Sequence, residues 1–174
     1  AHGTDGPLKV SNPRHIAEIS NVFVKTLQEM GLPLRSDFND GTQAGVGYMQ
    51  TTIGGARRCG AVEAFIEPLA GNPKLTILTG AQVLRIIVER GRAVGVEVAR
   101  DGQVRRLDAA NEVILAAGAF GTPKVLMLSG FGPAGELRRH GIDVQADLAG
   151  VGENLMDHHE VPLVAATHEK LGYY

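Results

Sequence analysis

A change of hydrophobic period in the middle of the chain constrains the fold more than any other feature. Apolar residues recur at every second position in 82–89 and again in 94–99, which is typical of strands with one buried face. Asp101-Gly102 separates the second run from a further strand-like segment, 103–108, and Asp-Gly is a strong signal for a two-residue hairpin turn. The pattern therefore predicts an antiparallel meander.

Residues 112–117 have a different pattern. They form a short apolar run without alternation, which favours a strand that is covered on both faces. The run leads into the small-residue turn Gly118–Gly121 and a predicted helix from about Pro123 to Leu128. Open α/β sheets present ligands at such strand–turn–helix junctions, where helix N–H groups face the turn. The turn either holds a phosphate or flat cofactor, or serves only tight strand–helix packing.

The other segments predict helices and short strands around the meander. The predicted elements are a helix that starts at Asn12-Pro13 with the apolar face Ile16, Ile19, Phe23, Leu27 and Met30, strands at 46–53 and 75–78, short helices at 57–69 and 133–140, and one or two short strands in 141–174. Together they predict an α+β fold: an antiparallel β-meander plus an incomplete sheet with several helices. Residues 112–117 then belong to a parallel sheet whose other strands are absent, and their free edge favours self-association.

Four further motifs each allow two interpretations. Gly150–Leu155 resembles half of a phosphate loop, but it is also an ordinary turn sequence. Asp157–Glu160 has the composition of metal ligands, yet neighbours in extended chain point to opposite faces, so an exposed polar stretch is the alternative and no metal site is predicted. Arg57-Arg58, at a predicted helix start, indicates either a nearby carboxylate or anionic ligand, or a solvated pair. Cys59 is either a reactive thiol or a small buried residue.

The composition excludes several classes of function. The 17 basic and 19 acidic residues give a net charge of −2, so no basic excess is present for nucleic acid. No apolar run reaches the ~18 residues of a membrane-spanning helix. The single cysteine excludes an internal disulfide framework and a cysteine zinc site.

The stretch from Gly118 to Pro133 resembles the second signature of the glucose–methanol–choline (GMC) oxidoreductases. Phe131 stands where that family usually has a smaller aliphatic residue. Other segments resemble the family in the same order along the chain: Asp37–Gly41, Gly45–Tyr48, Leu78–Val83, Arg92–Glu97 and Asp147–His158. The resemblance covers nearly the whole chain and is greatest to choline-dehydrogenase-like members.

This resemblance implies a flavoenzyme. The family oxidises alcohols by hydride transfer to FAD, and its members are considerably longer than this chain. Their N-terminal Gly-x-Gly-x-x-Gly motif, their first signature and their catalytic histidine have no counterpart here. We therefore expect an internal fragment of an FAD-dependent alcohol or choline dehydrogenase, inactive by itself, without bound FAD and with no catalytic residue of its own.

The resemblance also divides the chain by role. Residues 1–70 correspond to a substrate-side or connecting region with two helices. Residues 71–140 correspond to part of the FAD-binding domain, with the meander, the apolar strand and a helix. Residues 141–174 correspond to the start of the substrate-binding region.

Individual site residues follow only from matching positions. Val83 matches a position whose backbone contacts the adenine of the flavin nucleotide, and Ala117 and Gly118 match the strand end that approaches the cofactor. Glu160 follows Asp157-His158 where choline-oxidising relatives place a carboxylate near the trimethylammonium group. A negative charge suits a quaternary cation, which cannot donate conventional hydrogen bonds.

The sequence also allows a second class of function besides an enzyme fragment. A standalone, non-catalytic module that binds a ligand or partner is consistent with the same residues. Within the family, a lyase that keeps its flavin without redox use is a further variant. For the parent enzyme the resemblance implies a small alcohol substrate, and a location that is cytoplasmic or peripherally membrane-associated.

Overall fold

The computed structural model describes residue 3, residues 5–164, and residues 166 and 168. These residues divide into two compact units. One unit is Ile77–Val161, and the other consists of the described residues on either side of it. No helix in the described part of the chain has the length and hydrophobicity that crossing a membrane requires.

The regular elements are short apart from the meander and two helices. In chain order they are α1 (Glu18–Glu29), β1 (Leu34–Arg35), β2 (Val46–Gly47), β3 (Ile53–Gly54), β4 (Arg57–Arg58), a π-helical turn (Val62–Ile66), a 3-10 turn (Glu67–Leu69), β5 (Gln82–Glu89), β6 (Arg92–Arg100), β7 (Gln103–Asp108), α2 (Gly118–Leu128), β8 (Phe131–Gly132), α3 (Ala134–Arg139) and β9 (Ala146–Asp147).

In the unit outside Ile77–Val161, α1 packs beside β2, which pairs in parallel with β1. Val24 of α1 and Val46 of β2 are buried there. The buried face of this helix therefore differs from the predicted apolar face, since Phe23 is 60% and Met30 71% exposed. Hydrophobic spacing alone does not show which side of a helix meets a neighbour, and here that side is centred on Val24.

The predicted helix start at Asn12-Pro13 is wrong, since α1 begins at Glu18. Ser11 instead forms a bridge with Thr51, in which the N–H of each residue donates to the carbonyl of the other at 2.9 Å. This pairing holds the preceding chain extended. The predicted strand at 46–53 is likewise reduced to β2, the Thr51 bridge and the start of β3.

The predicted helix at 57–69 is only partly present. Arg57 and Arg58 form β4, an exposed strand that pairs with β3 across the turn Gly55-Ala56, so the arginines do not lie at a helix start. Both turn residues have positive φ, 58° and 65°, as a tight hairpin of this type needs. Cys59 is buried and its Sγ accepts the Lys9 N–H at 3.3 Å, which confirms the interpretation as a packing residue.

The unit Ile77–Val161 contains the predicted antiparallel meander, in the order β5-β6-β7. The turn between β6 and β7 is Asp101-Gly102, with φ of 52° and 73°. Arg90-Gly91 joins β5 and β6 with the same conformation, at 52° and 76°. Both are two-residue turns of the primed class that matches strand twist. The meander prediction is confirmed.

The strands predicted at 75–78 and 112–117 are wrong for the described residues. Neither segment carries a strand ladder, and Ile114 is 79% exposed. A strand exists only with a hydrogen-bonded neighbour, and none of the described strands lies beside residues 112–117. An apolar run indicates that a segment needs to be buried, but it does not show whether a neighbouring strand is there to pair with it.

The core of this unit lies where α2 meets β5 and where β8 and β9 pair in parallel. Its most buried residues are Val98, Val125, Ala134 and Leu137. The short helix α3 matches the prediction at 133–140. With its antiparallel meander, separate helices and unpaired apolar segment, the molecule confirms the predicted α+β class.

Candidate functional site

The junction between the apolar segment and α2 is the first part of the candidate site. The helix begins at Gly118, earlier than the predicted start at Pro123. Gly118 has φ of +79°, and a Cβ built on it would have no atom within 4 Å. A side chain would be strained by that φ and would cover an open backbone surface. Gly118 therefore leaves the main chain accessible at the helix N-terminus.

Thr122 shapes this junction from within the helix. Its Oγ1 accepts the Ala117 N–H at 3.1 Å. Ala117 is the N-cap of α2, so its carbonyl accepts the first bond within the helix. It therefore offers a ligand its methyl group and the remaining carbonyl lone pair rather than its N–H. The N–H groups of the first three helical residues, 118–120, have no partners within the helix, and they carry the positive end of its dipole.

A second segment, which follows β9, is held by one contact to α3 and one to α2. At one end the Asp147 carboxylate accepts the Ala134 N–H at 3.0 Å, at the start of α3. At the other end Gly152 lies against Met127, because a Cβ at Gly152 would be 3.3 Å from the Met127 Cε. The glycine-containing segment Gly150–Leu155 is thereby placed beside α2.

Between α2 and this segment lies an open concavity of about 490 Å³, within the usual size range of small-molecule sites. It is lined by Ala119, Phe120, Pro123, Lys124, Met127, Gly152, Glu153, Asn154, Leu155 and Met156. Asn154 has φ of 56°, a left-handed conformation that asparagine tolerates better than most residues. Two motifs treated separately in the sequence thus share one surface, and nothing in their spacing shows that they meet.

The residues predicted to contact the cofactor lie on packed elements. Val83 is half-buried in β5, which packs against α2, and its carbonyl accepts the Gln82 Nε2 at 3.1 Å. Ala117 and Gly118 form the N-terminus of α2. Glu160, the predicted substrate residue, is exposed and lies beyond the segment that lines the concavity.

The charged groups of the meander form ion pairs on its exposed surface. The Arg85 Nε lies 2.8 Å from the Glu97 Oε2, and this hydrogen bond lowers the pKa of the Glu97 carboxyl. Arg106 pairs with Asp108 at 2.6 Å and with Glu89 at 2.9 Å, and the two carboxylates raise the pKa of its guanidinium. These residues do not line the concavity.

No group of three or more His, Cys, Asp or Glu side chains that could hold a metal ion occurs among the described residues. Asp157 and His158 interact only locally, since the Asp157 Oδ1 accepts the His158 N–H at 2.7 Å. The chemistry of the site thus rests on backbone amides and on an open concavity lined by apolar side chains together with Lys124, Glu153 and Asn154.

Residues 2–160 match the family model described as GMC oxidoreductase. The chain belongs to this family. A curated relative is the oxygen-dependent choline dehydrogenase of Rhizobium meliloti (strain 1021), 40% identical over 158 residues, which cover 91% of this chain and 29% of that protein. The chain thus spans less than a third of the length of this relative.

Solved structures agree with this assignment. An FAD-dependent oxidoreductase from Chaetomium thermophilum has a TM-score of 0.84 and 33% identity over 89% of this chain and 27% of its own. A formate oxidase variant from Aspergillus oryzae RIB40 has a TM-score of 0.78 and 35% identity over 90% of this chain and 27% of its own. The arrangement of meander, α2 and following segment is therefore that of the corresponding part of these enzymes.

Proposed function

We propose that this chain is the middle part of an FAD-dependent oxidoreductase that oxidises an alcohol. In that enzyme the N-terminus of α2 and the edge strand β5 form part of the wall of the flavin site. The observation that carries the proposal is the open backbone at Gly118, on an α2 that packs against β5 in a chain belonging to the GMC oxidoreductases.

The local structure fits one side of a dinucleotide cofactor. Phosphate groups are favoured at helix N-termini because of the free N–H groups and the dipole. The open face of Gly118 and the free amides of 118–120 supply such a surface. The Gly-rich cradle for a pyrophosphate is not part of this sequence, so these residues contribute a wall rather than the whole site.

FAD when bound accepts a hydride from the alcohol carbon and so supplies the redox chemistry. The residues of this chain orient the cofactor: Val83 offers backbone on the adenine side, and Ala117 and Gly118 offer backbone at the turn. None of the chain's residues is assigned the removal of the hydroxyl proton. Separated from the rest of the enzyme, the chain is expected to bind no FAD tightly and to catalyse nothing.

The proposed substrate class is a choline-like or other primary alcohol. The relative with 40% identity is an oxygen-dependent choline dehydrogenase. Glu160 supplies the charge that a quaternary ammonium group requires, and its exposure leaves it available to a ligand. We assign it to the cationic end of the substrate.

Flavin content and substrate-driven reduction test the main proposal. The full-length gene product that contains these residues is purified and its flavin is measured against protein concentration. We expect near-equimolar FAD that is reduced when choline or another primary alcohol is added without oxygen. Full-length protein without flavin, or with flavin that no alcohol reduces, would overturn the proposal.

The role of Glu160 has its own test. Glu160→Gln is expected to raise KM for choline about tenfold, which corresponds to the loss of roughly 1.4 kcal/mol of ion pairing, with little effect on a neutral alcohol. Glu29→Gln, at an exposed position of α1, is the matched control. Equal changes for charged and neutral alcohols would contradict the assignment.

Two further predictions accompany the enzyme proposal. The chain could instead be a standalone binding module, and the separate chain is predicted to self-associate. A module would bind a ligand or partner by itself, whereas an enzyme segment would bind FAD only within the full-length product. Sedimentation of the separate chain tests self-association through its unpaired apolar segment. For the enzyme we propose a cytoplasmic or peripherally membrane-associated location, which fractionation of cells would test.

A further inference from the structure

Ser129 differs from every other polar residue in the described part of the chain because it is buried, with 9% of its surface exposed. Its hydroxyl donates to the Val125 carbonyl at 2.6 Å and accepts the Ile86 N–H at 2.8 Å. The hydroxyl thus has a donor and an acceptor role at once. Both partners are backbone groups, and they belong to different elements.

These two bonds join α2 to β5. Ser129 caps the C-terminus of α2, whereas Ile86 lies in β5, an edge strand of the meander. The outer edge of a sheet presents unpaired N–H groups, and Ser129 occupies one of them with a side chain. The hydroxyl also bonds back to the carbonyl four residues earlier, a bond that serine commonly makes in helices.

The elements joined are those that carry the proposed cofactor contacts. Val83 lies three residues before Ile86 on β5, and Gly118 begins the helix that Ser129 ends. A helix and a strand that share such a hydrogen bond cannot slide past each other without breaking it. The spacing between the adenine-side and turn-side contacts therefore depends on this hydroxyl.

We infer that Ser129 is a positioning residue for FAD, which fixes the distance between Val83 on β5 and Ala117-Gly118 on α2. The inference rests on the proposed flavin site. It assigns to Ser129 no contact with the cofactor or substrate. The residue acts through β5 and α2, so its loss weakens FAD binding without changing the chemical step.

The test measures the FAD dissociation constant of the full-length gene product, well below its melting temperature. Ser129→Ala removes the hydroxyl and leaves the Ile86 N–H without its partner. We expect the dissociation constant to rise roughly three- to tenfold, with an unchanged kcat at saturating FAD. Ser129→Thr keeps the hydroxyl and is expected to restore binding. Ser129→Cys, with a weaker hydrogen-bonding group, is expected to be intermediate and is the second variant if Ser129→Ala does not fold.

Leu137→Val is the control for general destabilisation. Leu137 is 1% exposed in α3, so the smaller side chain leaves a cavity without touching the bonds of Ser129. This variant is expected to melt at a lower temperature and to bind FAD like the wild type. An FAD dissociation constant that is unchanged in Ser129→Ala, or raised equally in Leu137→Val, would overturn the inference. A wild-type protein without FAD would instead overturn the proposed function, and this inference with it.

Discussion

Gly130, which follows the C-terminal cap of α2, allows a sharp test of the backbone conformation and packing at this point. Gly130 has φ of +89°, and a Cβ there would collide with the Asp143 carbonyl oxygen and lie 2.7 Å from the Gln145 Cγ. The Gly130 carbonyl accepts the N–H groups of Gln145 and Ala146 at 2.8 and 3.2 Å. Gly130→Ala therefore forces the chain apart where β8 and β9 begin to pair.

Two other glycines of the same unit separate the contributions. Gly141 has φ of +68°, and Gly135 lies within α3; a Cβ at either position meets no atom within 4 Å. The positive φ costs alanine about 1–2 kcal/mol, so we expect this loss for Gly141→Ala. Gly130→Ala adds the backbone collision, for a total of about 3 kcal/mol. Gly135→Ala is expected to stabilise by about 0.5–1 kcal/mol, since it replaces glycine inside a helix.

Urea unfolding followed by circular dichroism measures the three free-energy changes, because the chain has no tryptophan. With an m-value of about 2 kcal/mol/M, Gly130→Ala lowers the midpoint by roughly 1.5 M. Gly130→Ala no more destabilising than Gly141→Ala would refute the collision with Asp143. A neutral Gly141→Ala would refute the strain that positive φ imposes.

Two further predictions concern the meander. The Arg85 hydrogen bond lowers the pKa of Glu97, so its stabilisation is present above the ordinary glutamate pKa and is lost as pH falls through the lowered value. Glu97→Gln should therefore destabilise the protein near pH 7, and by less as the solution is made strongly acidic. A difference in urea midpoint that stays the same from neutral to strongly acidic pH would contradict this. Arg90 precedes Gly91 in the turn between β5 and β6 and has a φ of 52°. Arg90→Asn creates the favoured Asn-Gly turn, so we expect it to stabilise the protein by roughly 0.5–1 kcal/mol and to raise Tm by about 2 °C. A lower Tm would contradict the turn assignment.

The meander could be predicted from sequence because its determinants are local. Alternating apolar residues define its faces, and Asp101-Gly102 matches the conformation of its turn. The family could also be predicted, since the Gly118–Pro133 signature is contiguous. Both depend on residues that are neighbours along the chain.

Features that depend on distant contacts could not be predicted in the same way. The helix α2 begins before Pro123, although proline favours the first turn of a helix, because Gly118 and Thr122 form the junction instead. Phe23 has the spacing of a core residue, but Val24 meets the neighbouring strand. The Ser129 hydroxyl reaches Ile86, 43 residues away, and no local pattern indicates such a bond.

The concavity beside α2 illustrates the same limit at the site. Gly150–Leu155 is an ordinary turn sequence, and only its packing against Met127 brings it to the Gly118–Gly121 turn. Residues 112–117 show the converse: their composition requires covered faces, but no described strand pairs with them. The local sequence shows that these residues need covered faces, but whether a neighbouring strand covers them depends on residues elsewhere.

Amide hydrogen exchange of the full-length gene product, compared with and without FAD, tests most directly whether this segment faces the flavin. FAD is expected to slow exchange at the 118–121 amides and around Val83, whereas α1 should exchange at the same rate in both states. Protection by FAD that leaves 118–121 and Val83 unchanged would contradict the account, even in a protein that binds the cofactor tightly.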